Sequence, residues 1–250
     1  MTASAAAAEV PVVILCGGRG TRLREQTSAI PKALVEVGGK PILWHVIRIY
    51  ATQGFRRFLL ATGYRGEMIA EFAAAERWPE PVTVECVETG LDTPTGGRLA
   101  KLANRLRQGT FCLTYADGVA DLDLVAELEL HAQRQALVTM TVVRPYSQWG
   151  VAMIDDDERV SGFEEKPRLD QWVNGGFFCC EPGFLDHVDD ESVLEREPLE
   201  RVASEGDLAA YRHEGFWDCM DTYKDAVALN DLWASGEPPW RVWEAEAVSH

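Results

Sequence analysis

The chain has 250 residues, 46% of them apolar, with 24 basic against 40 acidic side chains and a formal net charge of −16. That length allows one large α/β domain or two small ones, and the apolar content is ample for a core. The acid excess argues against nucleic acid and anionic membrane surfaces as partners. No apolar run reaches the roughly 18 residues a transmembrane helix needs. Residues 1–9 are Ala-rich without a basic region or an apolar stretch, which predicts a disordered tail and not a signal peptide. Six cysteines without a C-x-x-C pair predict reduced thiols, a cytoplasmic location and no zinc site.

In chain order, Val12–Cys16 reads as a buried strand. Pro41–Tyr50 reads as a helix, Pro41 pre-set for its first turn and Ile42, Leu43, Val46, Ile47 and Tyr50 on one stripe. Strands follow at Phe58–Thr62, Val82–Val87, Phe111–Tyr115 and Leu137–Val143, alternating with helices at Gly66–Ala75, Gly97–Arg107 and Leu122–Arg134. This alternation predicts a mostly parallel sheet covered on both faces, with ligands outside the carboxyl ends of its strands. Beyond Pro145 the pattern changes to short strands at Val151–Ile154, Val160–Glu164 and Val173–Cys180, then helices at Glu197–Glu205 and Asp221–Trp233. The acidic run Asp155–Glu158 reads as a solvated hairpin tip, since it lacks the glycine and spacing of a calcium loop. Cys179 and Cys180 should point to opposite faces of their strand.

The first strand runs into Cys16-Gly17-Gly18-Arg19-Gly20-Thr21-Arg22-Leu23, followed by Ile30-Pro31-Lys32-Ala33. Glycines at this density let backbone N–H groups approach a phosphate chain, and Arg22 and Lys32 add fixed positive charge. The string lacks the Gly-Lys-Ser/Thr of the P-loop. It also lacks the third glycine of the dinucleotide fingerprint, where Leu23 stands. Further segments extend the pattern: Gly38-Gly39-Lys40-Pro41-Ile42-Leu43-Trp44-His45, Thr95-Gly96-Gly97-Arg98-Leu99, Tyr115-Ala116-Asp117-Gly118-Val119-Ala120-Asp121, Phe163-Glu164-Glu165-Lys166-Pro167 with Asn174-Gly175-Gly176-Phe177-Phe178, and Gly215-Phe216-Trp217-Asp218-Cys219-Met220-Asp221-Thr222. Together they resemble the sugar-1-phosphate nucleotidylyltransferases, and among them the glucose-1-phosphate cytidylyltransferases, from Val12 to about Glu244. The segment between Phe72 and Val82 is shorter than in the well-known members, a difference that bears on subunit contacts. The resemblance implies a homo-oligomer.

It also implies a Rossmann-like, three-layer nucleotidyltransferase core with a mostly parallel central sheet and a small β-rich sugar-binding subdomain. Within a single domain over 10–250, the nucleotide-binding core would be 10–144, the sugar-phosphate-binding part 145–220, and the C-terminal helix and tail 221–250. The implied reaction is attack by a sugar 1-phosphate oxygen on the α-phosphorus of a nucleoside triphosphate. CTP and α-D-glucose 1-phosphate lead, giving a CDP-sugar and pyrophosphate. Guanylyl, uridylyl or thymidylyl transfer to a heptose, octose, cyclitol or other phosphate is the alternative, and a non-catalytic sensor the second. A phosphate monoester is largely dianionic near neutral pH, so no general base is needed. The site must instead align two anions with metal and fixed cations.

By resemblance, Asp117 and Asp221 are the Mg²⁺ ligands, and Arg22, Lys32 and Asp117 the catalytic set. Read singly, Asp117 is equally a turn former before Gly118 and Asp221 an N-cap. Asp121 and Asp123 read as a helix cap and a first-turn acid. Gly17, Gly18, Gly20 and Thr21 should line the triphosphate through backbone groups. Thr95, Gly96, Gly97 and Arg98 should select the base. The donor-only Arg98 suits O2 and N3 of cytosine, although guanine also offers it acceptors. Lys166 resembles the lysine that holds the sugar's phosphate, and Glu165, Asn174 and Gly175 the sugar-hydroxyl contacts. Trp149, Trp172 and Trp217 are candidates to frame the sugar ring, Trp240 and Trp243 read as a packing tail, and His45 as a packed residue.

Overall fold

A computed structural model describes residues 7–20 and 30–243. In chain order its elements are β1 (Pro11–Leu15), β2 (Glu36–Val37), β3 (Lys40–Pro41), α1 (Ile42–Thr52), β4 (Arg57–Thr62), α2 (Gly66–Ala75), β5 (Thr83–Glu88), α3 (Thr95–Leu106), β6 (Phe111–Tyr115), β7 (Gly118–Ala120), α4 (Leu124–Arg134), β8 (Val138–Val143), β9 (Val151–Ile154), β10 (Val160–Glu164), β11 (Val173–Cys180), α5 (Glu197–Glu205), β12 (Leu208–His213), β13 (Trp217–Cys219) and α6 (Tyr223–Ala234). Short 3₁₀ turns cover Lys32–Leu34 and Pro182–His187. The largest sheet has seven strands in the order β12-β8-β11-β6-β1-β4-β5. All neighbours are parallel except β11, which runs antiparallel to both β6 and β8.

Strand periodicity divides the core into two layers. Val12, Ile14 and Cys179 pack on one face with α1 and the C-terminal tryptophans. Val13, Leu15 and Cys180 pack on the other with Leu99, Leu102 and Leu106 of α3, Phe184 and Leu199. Adjacent residues of a strand point to opposite faces, so Cys179 and Cys180 separate as expected. Helix α1 is buried from Ile42 to Tyr50 except at Arg48, because the tail covers the side turned away from the sheet. Trp44 meets Trp243 edge-on at 5.5 Å between ring centroids, and His45 meets Trp240 at 6.1 Å. Trp240 Nε1 donates to His45 Nδ1 at 3.3 Å, so the neutral ring donates from Nε2 to the Val37 carbonyl at 2.9 Å. Burial lowers the His45 pKa to about 4. His45 is therefore a neutral packing residue.

Several expectations are corrected. Ala7 is fully buried in the core, so the expected disordered tail does not extend to it; residues 1–6 lie outside the described ones. Strand β12 was not foreseen: Leu-Ala-Ala-Tyr-Arg-His has no clean alternation, and the strand forms at the sheet edge by parallel pairing with β8. Helix α4 starts at Leu124, where Asp123 accepts from the Ala126 amide at 2.8 Å and is the N-cap. Asp121 instead pairs with His213 at 2.9 Å. The strands of segment 145–220 divide three ways: β11 and β12 join the main sheet, β9 and β10 form a two-stranded ribbon, and β13 pairs with β7.

Over β8, α4 turns two polar groups inward. Glu127 accepts from Thr141 Oγ1 at 2.8 Å, and His131 Nδ1 lies 2.8 Å from Thr139 Oγ1. Desolvation raises the Glu127 pKa from 4.5 to about 8. In the unfolded chain the carboxyl ionises at its ordinary value, while in the folded chain it stays protonated until about pH 8. Its contribution is unaffected at low pH and turns unfavourable as pH rises through that window, by at most about 1.4 kcal/mol per pH unit. Glu127→Gln should therefore gain stability over the wild type between pH 5 and 8 in urea unfolding. A difference that does not change with pH would contradict this.

Candidate active site

The carboxyl ends of β1 and β6 open onto two adjoining cavities. The first, about 520 Å³, is lined by Cys16, Gly17, Gly18, Gly20, Lys32, Thr93, Pro94, Thr95 and Arg98. The second, about 500 Å³, is lined by Thr114, Gly118, Asn174, Gly175, Gly176, Glu195, Trp217 and Cys219. Tyr115, Asp117 and Asp221 border both, so the shared wall is acidic.

Each wall residue is placed by a local device. Asp117 follows β6, and its carbonyl accepts from the amide of the fully buried Met220 at 2.9 Å, tying it to the segment before α6. Asp221 is released from capping because Thr222 caps α6, in a reciprocal box with Asp225. Lys32 lies in the short 3₁₀ turn after Pro31. Its Nζ sits 2.5 Å from Asp117 Oδ2 and 2.7 Å from Asp221 Oδ1. Burial opposes the ammonium charge, but Asp117 and then Asp221 outweigh it and raise the Lys32 pKa. Burial, Asp221, Asp117 and Asp218 together push the nearby Cys219 thiol up to about 12, which keeps it protonated and unreactive.

The glycine loop is held from beneath. Gly17 O accepts from Tyr64 N at 3.1 Å and from Arg98 Nη2 at 3.0 Å. A Cβ at Gly17 would come within 2.0 Å of Arg98 Cζ, whereas a Cβ at Gly18 would meet nothing within 4 Å. Gly17→Ala should therefore cost about 1–3 kcal/mol by overpacking, and Gly18→Ala no more than about 0.5 kcal/mol. Thermal unfolding of the two variants checks the order, and equal melting temperatures would refute the close packing.

Arg98, the expected base contact, lines the first cavity and is also tied into the protein beneath the loop. Its Nη1 donates to Thr62 O, Thr89 Oγ1 and Gly90 O at 2.9, 2.7 and 2.8 Å. With Nη2 on Gly17, both terminal nitrogens are spent on the protein, so the residue braces the loop. Gly96 and Gly97 line neither cavity. Their missing Cβ atoms make room for the main chain of Ser192 and Asp190, 2.7 and 2.3 Å from where those atoms would sit. Both glycines are buried, and a side chain at either would collide with that main chain.

On the second side, Asn174 and Gly175 line the cavity, but Glu165 and Lys166 do not. Those two residues are exposed, just beyond the β9–β10 ribbon, 4.0 Å from one another. Of the three candidate tryptophans only Trp217 lines the cavity. Trp149 is exposed, and Trp172 lies under the guanidinium groups of Arg144 and Arg212. Thr21 and Arg22 lie outside the described residues. Sequence reasoning missed Tyr115 and Glu195. Tyr115, two residues before Asp117 at a strand end, carried a positional signal, whereas Glu195 is one acid among many in 189–197.

Among the described residues no cluster of three or more His, Cys, Asp or Glu side chains forms a metal cage. Two carboxylates that converge on one nitrogen do suit Mg²⁺, which takes one or two carboxylates and completes its shell with water and substrate phosphates.

Comparison with known proteins agrees with this geometry. The chain is 40% identical over 255 residues to glucose-1-phosphate cytidylyltransferase of Salmonella typhi, covering 93% of this chain and 99% of that protein. It is 31% identical over 229 residues to mannose-1-phosphate guanylyltransferase of Mycobacterium tuberculosis, covering 88% and 63%. In fold it matches HddC from Yersinia pseudotuberculosis with a TM-score of 0.72 at 23% identity, over 90% of this chain and 99% of that one. A family profile described as Nucleotidyl transferase matches residues 11–222. That match runs from the first residue of β1 to the N-cap of α6, and the chain belongs to the nucleotidyl transferase family of enzymes.

Proposed function

We propose that the chain transfers the cytidylyl group of CTP to a sugar 1-phosphate, with α-D-glucose 1-phosphate first among candidates, releasing pyrophosphate and forming a CDP-sugar. The observation that carries this reading is the pair of cavities with Asp117 and Asp221 in their common wall. Two substrates bound one on each side would bring their reacting phosphates together at that wall. The first cavity, with the glycine loop, takes the nucleotide, and the second, with Asn174, Gly175 and Trp217, takes the sugar phosphate.

In this reading an oxygen of the sugar phosphate dianion attacks the α-phosphorus in line. The new P–O bond forms as the bond to the β-phosphate oxygen breaks, and pyrophosphate departs with that electron pair. The backbone N–H groups at Gly17, Gly18 and Gly20 receive phosphate oxygens, together with Thr21 and Arg22. Arg98 keeps the loop in shape from below. Lys32 exchanges its two carboxylates for phosphate oxygens and stabilises charge on the leaving group. The family is in general metal-dependent. Mg²⁺ held by Asp117 and Asp221 would neutralise the phosphates and orient them.

The test is pyrophosphate release with Mg²⁺ and glucose 1-phosphate, supplied separately with CTP, UTP, dTTP, GTP and ATP. Turnover with CTP alone supports the reading. Turnover with GTP would favour guanylyl transfer, which the 31% identity to a guanylyltransferase makes the second reading. Silence in every well, repeated with other hexose, heptose and cyclitol phosphates, would overturn it.

A cytoplasmic location and self-association belong to the same proposal. Among the described residues every cysteine is a free thiol, and no helix is long and apolar enough to cross a membrane. Sedimentation of the purified chain as a single 27.8 kDa species would refute self-association.

A further inference from the structure

Three carboxylates border the second cavity, and Lys32 engages two of them, Asp117 and Asp221. Glu195 is held differently. Its Oε1 accepts from the Tyr115 hydroxyl at 2.5 Å and its Oε2 from Thr95 Oγ1 at 2.7 Å. Tyr115 lines both cavities, and Asn174, whose Oδ1 accepts from the Gly176 amide at 2.7 Å, lines the second. Thr95 Oγ1 in turn accepts from the Leu194 amide at 2.9 Å. Glu195 is thus held between Tyr115, which borders both cavities, and Thr95, which lines the first.

Both donors to Glu195 are neutral hydroxyls, and among the described residues no cation is paired with it. Each oxygen has capacity for a second donor. Because both oxygens are anchored, little side-chain freedom is left to lose when a ligand arrives. Beside it, Trp217 spends its Nε1–H on the Gly175 carbonyl at 2.7 Å and adds an apolar ring to the same cavity. An anchored anionic acceptor next to an aromatic ring suits a polyhydroxylated pyranose. The hydroxyls donate to the carboxylate, and the C–H face lies against the ring. The carboxylate singled out by the sequence, Glu165, lines neither cavity.

Resting on the nucleotidyl-transfer reading above, we infer that Glu195 is a specificity-determining residue that accepts hydrogen bonds from ring hydroxyls of the sugar 1-phosphate. It reads the sugar directly, while Tyr115 and Thr95 hold it in place.

The experiment uses the full chain with CTP, glucose 1-phosphate and its 2-, 3-, 4- and 6-deoxy analogues. The wild type should lose about 10-fold or more in kcat/KM on at least one analogue, the effect of deleting a hydrogen bond to a charged group. Glu195→Ala should show a comparable loss on glucose 1-phosphate itself. It should no longer distinguish that analogue from the parent, and its KM for CTP should stay within about twofold. Glu195→Gln, which keeps the volume and one acceptor, should fall between the two and serves if the alanine variant folds poorly. An unchanged deoxy profile in both variants would overturn the inference, as would equal loss for both substrates, which is what a purely bracing role predicts. Wild-type turnover separates these outcomes from failure of the parent reading: without it, CTP and glucose 1-phosphate fall as the substrate pair, and the inference about the glucose hydroxyls falls with them.

Discussion

Asp117→Asn should abolish most turnover, by about 10²-fold or more, while leaving the fold intact and nucleotide binding weakened far less. The loss is large because the reaction brings two polyanions together. Removing one preorganised charge-stabilising group from such a site typically costs about 10²–10³ in kcat. The fold should survive because the Asp117 side chain is 25% exposed and its main-chain tie to Met220 is untouched. The substitution keeps the size of the side chain and removes only its charge, so a loss of rate cannot be assigned to a cavity. Steady-state kinetics beside equilibrium binding of CTP separates the two effects. Full turnover in the variant would remove Asp117 from the metal-binding role.

Lys32→Met should have a comparable effect on rate and an opposite one on ion binding. The ammonium lies at the point where Asp117 and Asp221 converge, and its raised pKa keeps it charged there. A cation arriving without nucleotide must therefore displace a cation already in place. With methionine at this position the two carboxylates face one another with less compensation, and a divalent ion meets no competitor. Nucleotide-free Mn²⁺ binding, followed by titration calorimetry, should tighten about 10-fold or more, equivalent to about 1.4 kcal/mol. At the same time kcat should fall by about 10²-fold, since the triphosphate loses a fixed cation. Unchanged Mn²⁺ affinity would mean that the ion binds elsewhere or that the ammonium does not compete.

Much of the fold was legible because it rests on short-range periodicity. Gly66–Ala75 and Glu197–Glu205 are helices, and Phe111–Tyr115 and Val173–Cys180 strands, at the expected bounds. The adjacent cysteines Cys179 and Cys180 face the two cores that a strand's alternation requires. What periodicity cannot convey is pairing direction. Val173–Cys180 reads as one more buried strand, and its antiparallel run between β6 and β8 depends on the path of the chain through β9 and β10. The edge strand β12 was invisible for a related reason: its stability comes from β8, and its own residues barely alternate.

The candidate site divides along the same line. A phosphate loop is written in consecutive residues, because backbone N–H groups can surround an anion only within one tight stretch of chain. Gly17, Gly18 and Gly20 could therefore be nominated from one stretch of chain, with Lys32 shortly after it, and all four line one cavity. Lys32, Asp117 and Asp221 meet across separations of 85 and 189 residues, and their meeting point exists because β1 and β6 are neighbours and α6 returns to the same sheet edge. Roles that depend on what a side chain is packed against were decided by the fold alone. Arg98 and the glycines before it stand in the motif, yet the main chain at Gly17 and at Asp190–Ser192 claims them for packing. Glu195 stands in no motif, yet the loop that carries it lies on the start of α3 and sets a charge beside Trp217. Sequence order limits which groups can act through adjacent backbone, and only the closed tertiary structure determines which distant side chains have donors left to offer a ligand.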